Sequence, residues 1–205
     1  MRIVNKIGVP YSAGIMSQSF WFVEFKKYLK LCLDGYSSEQ IREIVITKNY
    51  FGLTNQYRAK RVYGYISTRA EHLDKAGLKL FFDSDLATQK LLNLICILRQ
   101  DRLFFEFINE VYREKAIIGI EELTASDASI FFKDKEVQSE VIENWTDGTK
   151  KRVWSCYFNF MIDANLLTVE GKVKKITTPL LDIALERYLE ANDEQVLLKA
   201  ITGEA

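Results

Sequence analysis

The chain contains little proline, histidine or cysteine. Of its 205 residues, two are proline, one is histidine and three are cysteine. A single histidine, His72, excludes a metal site built from several histidines, and the cysteines lack the C-x-x-C spacing of structural zinc. Because proline breaks helices, its scarcity, together with the few alternating β-branched runs, predicts a mainly α-helical protein.

Recognisable catalytic motifs are also missing. The sequence contains no G-x-G-x-x-G, G-x-x-x-x-G-K-S/T, G-x-S-x-G or H-E-x-x-H pattern. The sequence therefore gives no support for a nucleotide-binding loop, a serine-hydrolase nucleophile elbow or a zinc-protease helix. Adjacent carboxylates such as Glu121 and Glu122 have no positioned partner and are typical of a solvated helix start. We expect no enzymatic activity, no cofactor, no metal and no small-molecule substrate.

Neither sign of charge is in excess. Lys plus Arg and Asp plus Glu each total 28, so any electrostatic site must be local. The amino terminus has no continuous apolar segment, and the longest apolar run, residues 91–98, is too short to cross a bilayer. Cys32, Cys96 and Cys156 lie far apart in apolar stretches. This pattern favours buried free thiols in a reducing compartment over a disulfide framework. We expect a soluble, cytoplasmic protein without membrane contact.

Apolar spacing and N-cap residues predict a helical domain over residues 1–119. Ser17 or Ser19 is expected to cap the first helix, which ends at Leu33. The other helices are predicted to open at Ser37 or Ser38 and at Thr54–Asn55, and to cover residues 86–98 and 101–118.

A second domain is predicted over residues 120–205. Thr124 and Asp127 resemble a capping box, which opens a helix or broken helix up to residue 145. A helix from about residue 149 to 165 follows, and the alternation around Gly171 predicts a β-hairpin. Thr178 as cap and Pro179 as first helical residue predict a last helix. Helix, turn, helix, hairpin, helix is the order of a winged-helix module.

The helix predicted from residue 149 carries cations at its amino-terminal end. Lys150, Lys151 and Arg152 lie in its first turn, where the helix dipole disfavours them by on the order of a few tenths of a kcal/mol. A phosphate nearby would offset that cost. The apolar residues form a broad core face and leave a polar strip along the opposite surface: Gly148, Lys151, Arg152, Ser155, Asn159 and Asp163.

The hairpin adds Lys172, Lys174 and Lys175. In a winged helix, this hairpin and the preceding helix lie against the same duplex, so we expect the six cations to contact phosphates of double-stranded DNA. Ser155 and Asn159 would reach base edges. Six phosphate contacts would give log affinity against log salt a slope of about −5. The alternative is that these are ordinary solvated faces, with lysines that keep the hairpin soluble.

A second basic stretch resembles the first. "QYRAKRVYGYI" at 56–66 aligns with "DGTKKRVWSCY" at 147–157, and each follows a capped helix. We therefore expect a second helix-turn-helix-like unit with Arg58, Lys60, Arg61 and Arg69 on its exposed side as a further DNA contact. RNA binding through this first half is an alternative.

Residues 120–145 are acidic, with seven carboxylates against two lysines. Such a segment is repelled by a phosphate backbone and favours a protein partner. The alternative function is therefore a protein–protein adaptor that uses the winged helix as a scaffold.

Several segments together resemble the BrxA family, small components of BREX bacteriophage-exclusion systems. They are "YSAG" at 11–14, residues 84–115 with "TQKLLNLICILRQDRLFFEFINEVYREK", the "EELTASD" start of the second half, and "WTDGTKKRV". The likeness runs from about Tyr11 to Leu189. It implies an all-helical protein with winged-helix character that binds DNA without enzymatic activity and acts beside other phage-defence proteins. None of the motifs is catalytic, and the resemblance names no DNA-binding residues. The assignment of the DNA-facing residues therefore rests on the helix and hairpin pattern.

Overall fold

Helices cover most of the chain in the computed structural model, which describes residues 10–205. Residues 1–9, part of the amino-terminal segment discussed above, lie outside the described residues. Two units divide the chain, an inserted unit (Trp21–Asp85) and a main unit formed by residues 10–20 and 86–205. This division differs from the predicted boundary after residue 119, which falls inside the main unit. No helix in the described part of the chain combines the length and apolar character needed to span a bilayer.

The inserted unit is built from α1 (Phe22–Leu33), α2 (Ser38–Thr47), α3 (Gln56–Ala70) and α4 (Lys75–Asp83). Two of its starts follow the predicted caps: Ser37 forms a capping box with Gln40, and the Asn55 side chain accepts from the Arg58 amide. The predicted serine cap of α1 was wrong, because Trp21 precedes this helix in the left-handed region (φ 42°) without a side-chain cap.

The helices of the main unit run from a short 3₁₀ turn (Gly14–Ser17) to the carboxyl terminus. They are α5 (Leu86–Gln100), α6 (Arg102–Phe107), a π-helical turn (Ile108–Tyr112), α7 (Arg113–Ile117), α8 (Ala125–Gln138), α9 (Glu140–Glu143), α10 (Asp147–Asp163), α11 (Ile183–Ala191) and α12 (Gln195–Thr202). The predicted capping box of α8 is confirmed, since Thr124 and Asp127 hydrogen-bond reciprocally. The predicted class, mainly helical with one small hairpin, is confirmed.

The hairpin consists of β1 (Leu167–Glu170) and β2 (Val173–Ile176), paired antiparallel. Gly171 occupies the predicted turn with φ 63°, a value at which glycine is unstrained. A third extended segment adds to the free edge of β2: Glu122 bridges to Lys175, and the Leu123 amide donates to the Lys174 carbonyl at 3.0 Å. The helix α8 therefore starts directly from the hairpin edge.

The start predicted for the last helix was wrong. Residues 177–181 are not helical, and α11 begins at Ile183 with the Asp182 carboxylate accepting from the Ala184 amide. Tertiary hydrogen bonds hold the chain after β2 in place, because the Thr177 amide donates to Leu166 and the Thr177 carbonyl accepts from the Tyr112 hydroxyl. These bonds override the local signal from Thr178 and Pro179.

Candidate nucleic-acid interface

Helix α10 carries the principal predicted site, and its buried side determines which residues face outward. Thr146 caps it by accepting from the Thr149 amide at 3.1 Å. Tyr157 is fully buried and stacks on Phe104 with ring centroids 4.4 Å apart. Its apolar neighbours on the same face, Val153, Phe158, Phe160 and Met161, are also buried. The opposite side is left exposed, with Lys151, Arg152 and Asn159 on it, as predicted.

The hairpin lies against α10. Asn165 makes the turn between them in the left-handed region, with φ 63°, a conformation that asparagine tolerates. The Lys174 ammonium lies 5.4 Å from the centroid of the Phe158 ring, a cation–π contact between the hairpin and the helix. Because Lys151, Trp154 and Phe158 fall three and four residues apart, they lie on one side of α10, so Lys174 is on the side of the helix that carries Lys151. Lys172, in the turn, is exposed.

The six predicted phosphate-binding cations differ in their surroundings. The Lys150 ammonium lies 2.6 Å from a Glu136 carboxylate oxygen, and its side chain is only 13% exposed. Lys175 lies 2.7 Å from Glu170, a hydrogen bond that raises the pKa of its ammonium. Among the described residues, no carboxylate forms an ion pair with the other four cations: Lys151, Arg152, Lys172 and Lys174.

The two predicted base-reading residues are also unequal. The half-buried Ser155 hydroxyl donates to the Lys151 carbonyl at 2.7 Å, which leaves its oxygen as a hydrogen-bond acceptor. The exposed Asn159 offers both a donor and an acceptor. Asn159 also borders a shallow cavity of about 290 Å³ between α10 and residues 18–20. Of the two, Asn159 is better suited to discriminate between bases.

The second basic stretch lies on α3, in the inserted unit. Arg58, Lys60 and Arg61 are exposed, as predicted. The prediction that Arg69 is exposed was wrong, because its relative exposure is 0%. Arg69 falls three residues after the buried Ile66 and seven after Val62, so helical spacing places it on the core face. Its guanidinium lies 6.0 Å from the Phe25 ring centroid.

Several acidic residues of the segment 120–145 have cationic partners. Glu136 pairs with Lys150, and Asp127 pairs with Lys115 at 2.5 Å. Burial alone would raise the pKa of Asp127, but hydrogen bonds from Lys115 and Thr124 lower it below its usual value. The acidic character of this segment is therefore partly cancelled within the fold.

A polar network that the sequence did not reveal joins the amino-terminal segment to α6 and α8. Glu106 accepts from the Tyr11 hydroxyl (2.8 Å), Arg102 (2.6 Å) and the nearly buried Lys135 ammonium (2.7 Å). Burial alone would raise the pKa of Glu106, but the hydrogen bonds from Lys135, Arg102 and Tyr11 lower it. Burial and the bond to Glu106 raise the pKa of Tyr11 to about 12. Within the main unit, the network links Tyr11 of the "YSAG" segment to α6 and α8.

Comparison with known proteins identifies the family. The sequence profile of the BrxA family matches residues 9–193. The BREX protein BrxA of Bacillus cereus (strain H3081.97) is 30% identical over 194 residues, which cover 95% of this chain and 97% of the relative. The chain belongs to the BrxA family, and the resemblance seen in its motifs is confirmed.

A solved structure shows the same fold. It is a crystal structure of an uncharacterized protein from Magnetospirillum magneticum, which is similar with a TM-score of 0.80 at 17% identity. The match covers 95% of this chain and 99% of the other.

Proposed function

We propose that this protein is a non-catalytic, double-stranded-DNA-binding component of a BREX phage-defence system. Family membership supports the place in the defence system. The observation that carries DNA binding is the shared surface of α10 and the hairpin. On it, Lys151, Arg152, Lys172 and Lys174 form no ion pair with any described carboxylate.

The order of elements in the main unit supports the docking mode. A helix (α6 to α7) leads into the extended segment at Glu122, and α8, α10 and the hairpin follow, which is the order of a winged helix. In that arrangement α10 enters the major groove and the hairpin lies on the neighbouring backbone. Lys151 and Arg152 then contact phosphates from the helix, Lys172 and Lys174 contact them from the hairpin, and Asn159 faces base edges.

The number of available cations sets the expected salt dependence. With Lys150 and Lys175 held by Glu136 and Glu170, four contacts from this surface give a slope of about −3.6 instead of about −5. The exposed Arg58, Lys60 and Arg61 of α3 would add to this slope if they are a second contact.

Fluorescence anisotropy of a labelled duplex, titrated at several salt concentrations, tests the proposal. We expect salt-dependent binding that is lost in a Lys151→Glu, Arg152→Glu variant whose circular dichroism matches that of the native protein. Native protein that leaves the duplex free at low salt would refute DNA binding.

A second candidate function is that of a protein–protein adaptor among defence proteins. It is favoured by apolar side chains on the outside of α8 and α9, where Ile130 is 57%, Val137 90% and Val141 46% exposed. Asp134 and Glu140 lie in the same segment and are exposed. This function predicts that Val137→Glu abolishes assembly with another component of the same defence system and leaves duplex binding unchanged. Unchanged assembly would count against it.

A further inference from the structure

Helices α8 and α10 enclose a groove of about 320 Å³ at the edge of the proposed DNA-binding surface. The aromatic rings of Phe132 and Trp154 line it. Lys133 stands on the α8 wall and Lys151 on the α10 wall, and both are exposed. The groove thus has an aromatic lining and a cation on each side, together with one exposed carboxylate, Asp147, at the start of α10.

The charge of the α8 wall differs from that of the acidic segment 120–145 as a whole. Glu136, the carboxylate of α8 that lines the groove, is paired with Lys150, and Asp134 is not among the groove-lining residues. Among the described residues, Lys133 has no ion-pair partner. The repulsion that the acidic composition suggests therefore does not extend to this wall.

We propose that this groove holds a segment of the DNA sugar-phosphate backbone. Lys133 and Lys151 contact phosphates from opposite walls, while Glu136 limits affinity by holding Lys150. A backbone segment presents apolar deoxyribose faces between singly charged phosphates, and the aromatic lining and the two lysines complement these features. The inference rests on the proposed function, and it adds α8, through Lys133, to the binding surface.

Charge-matched variants test the role of each wall in the anisotropy assay. Lys133→Gln should lower the magnitude of the salt slope by about 0.9. Over a fourfold rise in salt, the variant should then lose affinity by a factor about 3.5-fold smaller than the native protein does. Lys79→Gln removes the same charge from an exposed position of α4 and should leave the slope unchanged. Equal slopes for native protein and the Lys133 variant would overturn the groove assignment.

The restraint by Glu136 has its own test. Glu136→Gln releases Lys150, which should tighten binding and steepen the slope by up to about 0.9. Asp134→Asn makes the same change of charge outside the groove and should have little effect. Adding Lys150→Gln to the Glu136 variant should cancel its gain, because the gain comes from that lysine. Equal gains in the Glu136 and Asp134 variants would contradict the restraint.

Occupancy of the groove can be read directly from Trp154. The chain has three tryptophans, so Trp21→Phe with Trp145→Phe leaves Trp154 as the single fluorophore. Duplex DNA should change its emission along the same titration curve as the anisotropy. Binding with unchanged emission would overturn the groove assignment and leave the proposed function standing. Absence of duplex binding by native protein would refute both.

Discussion

The unequal surroundings of the six cations make a quantitative prediction about two double variants. One variant combines Lys151→Gln with Arg152→Gln, and the other combines Lys150→Gln with Lys175→Gln. Each removes two of the six cations predicted on α10 and the hairpin. The first pair faces solvent, whereas the second pair is held by Glu136 and Glu170 at 2.6 and 2.7 Å. Net charge is therefore matched, and the availability of the cations is the variable.

The expected difference follows from counterion release. Losing two phosphate contacts lowers the magnitude of the salt slope by about 1.8. Over a fourfold rise in salt, such a variant should then lose affinity by a factor about 12-fold smaller than the native protein does. The Lys150, Lys175 variant should change the slope by less than half as much, because those cations already neutralise carboxylates.

Anisotropy titrations of one labelled duplex between about 50 and 200 mM salt measure both slopes. Circular dichroism and thermal melting show whether each variant is folded. Equal slopes for the two double variants would refute the reasoning, since binding would then depend on net charge and not on the geometry of the ion pairs.

Three further predictions concern the rest of the chain. Replacing Arg58, Lys60 and Arg61 with glutamine should lower the slope by up to about 2.7 if α3 is a second contact, and an unchanged slope would exclude that contact. The pKa of Glu106 is lowered in the folded protein, so its contribution to stability is present above its usual value of 4.5 and is lost as pH falls through the lower folded value. In urea unfolding, Glu106→Gln should lower the free energy of unfolding at pH 7 by about 1–3 kcal/mol. As pH is lowered, the free energy of unfolding of the variant should fall less steeply than that of the native protein, and an equally steep fall would contradict this. Lys135→Met should lower the free energy of unfolding by about 1–3 kcal/mol, because the partly buried Glu106 loses one of its three donors, and an unchanged free energy would contradict this reading.

The sequence predicted the orientation of α10 because its side chains repeat with the period of a helix. Val153 and Tyr157 are buried while Lys151 and Arg152 are exposed, as that period requires. The capping box at Thr124 was equally predictable, since it depends on residues three positions apart.

Contacts between distant segments could not be predicted in this way. Glu136 lies 14 positions before Lys150 and on another helix, so spacing gives no sign that the two pair. The start of α11 was missed for a similar reason, because the bonds of Thr177 to Leu166 and Tyr112 are tertiary. The burial of Arg69, by contrast, follows from its spacing to Val62 and Ile66 and could have been predicted.

Lysine footprinting tests most directly whether DNA lies on α10 and the hairpin. Acetylation of each lysine would be quantified by mass spectrometry with and without saturating duplex. We expect Lys151 and Lys172 to lose reactivity when DNA is bound, while Lys79, exposed on α4, keeps its reactivity. Unchanged acetylation of Lys151 and Lys172 in the presence of duplex would contradict the proposed interface.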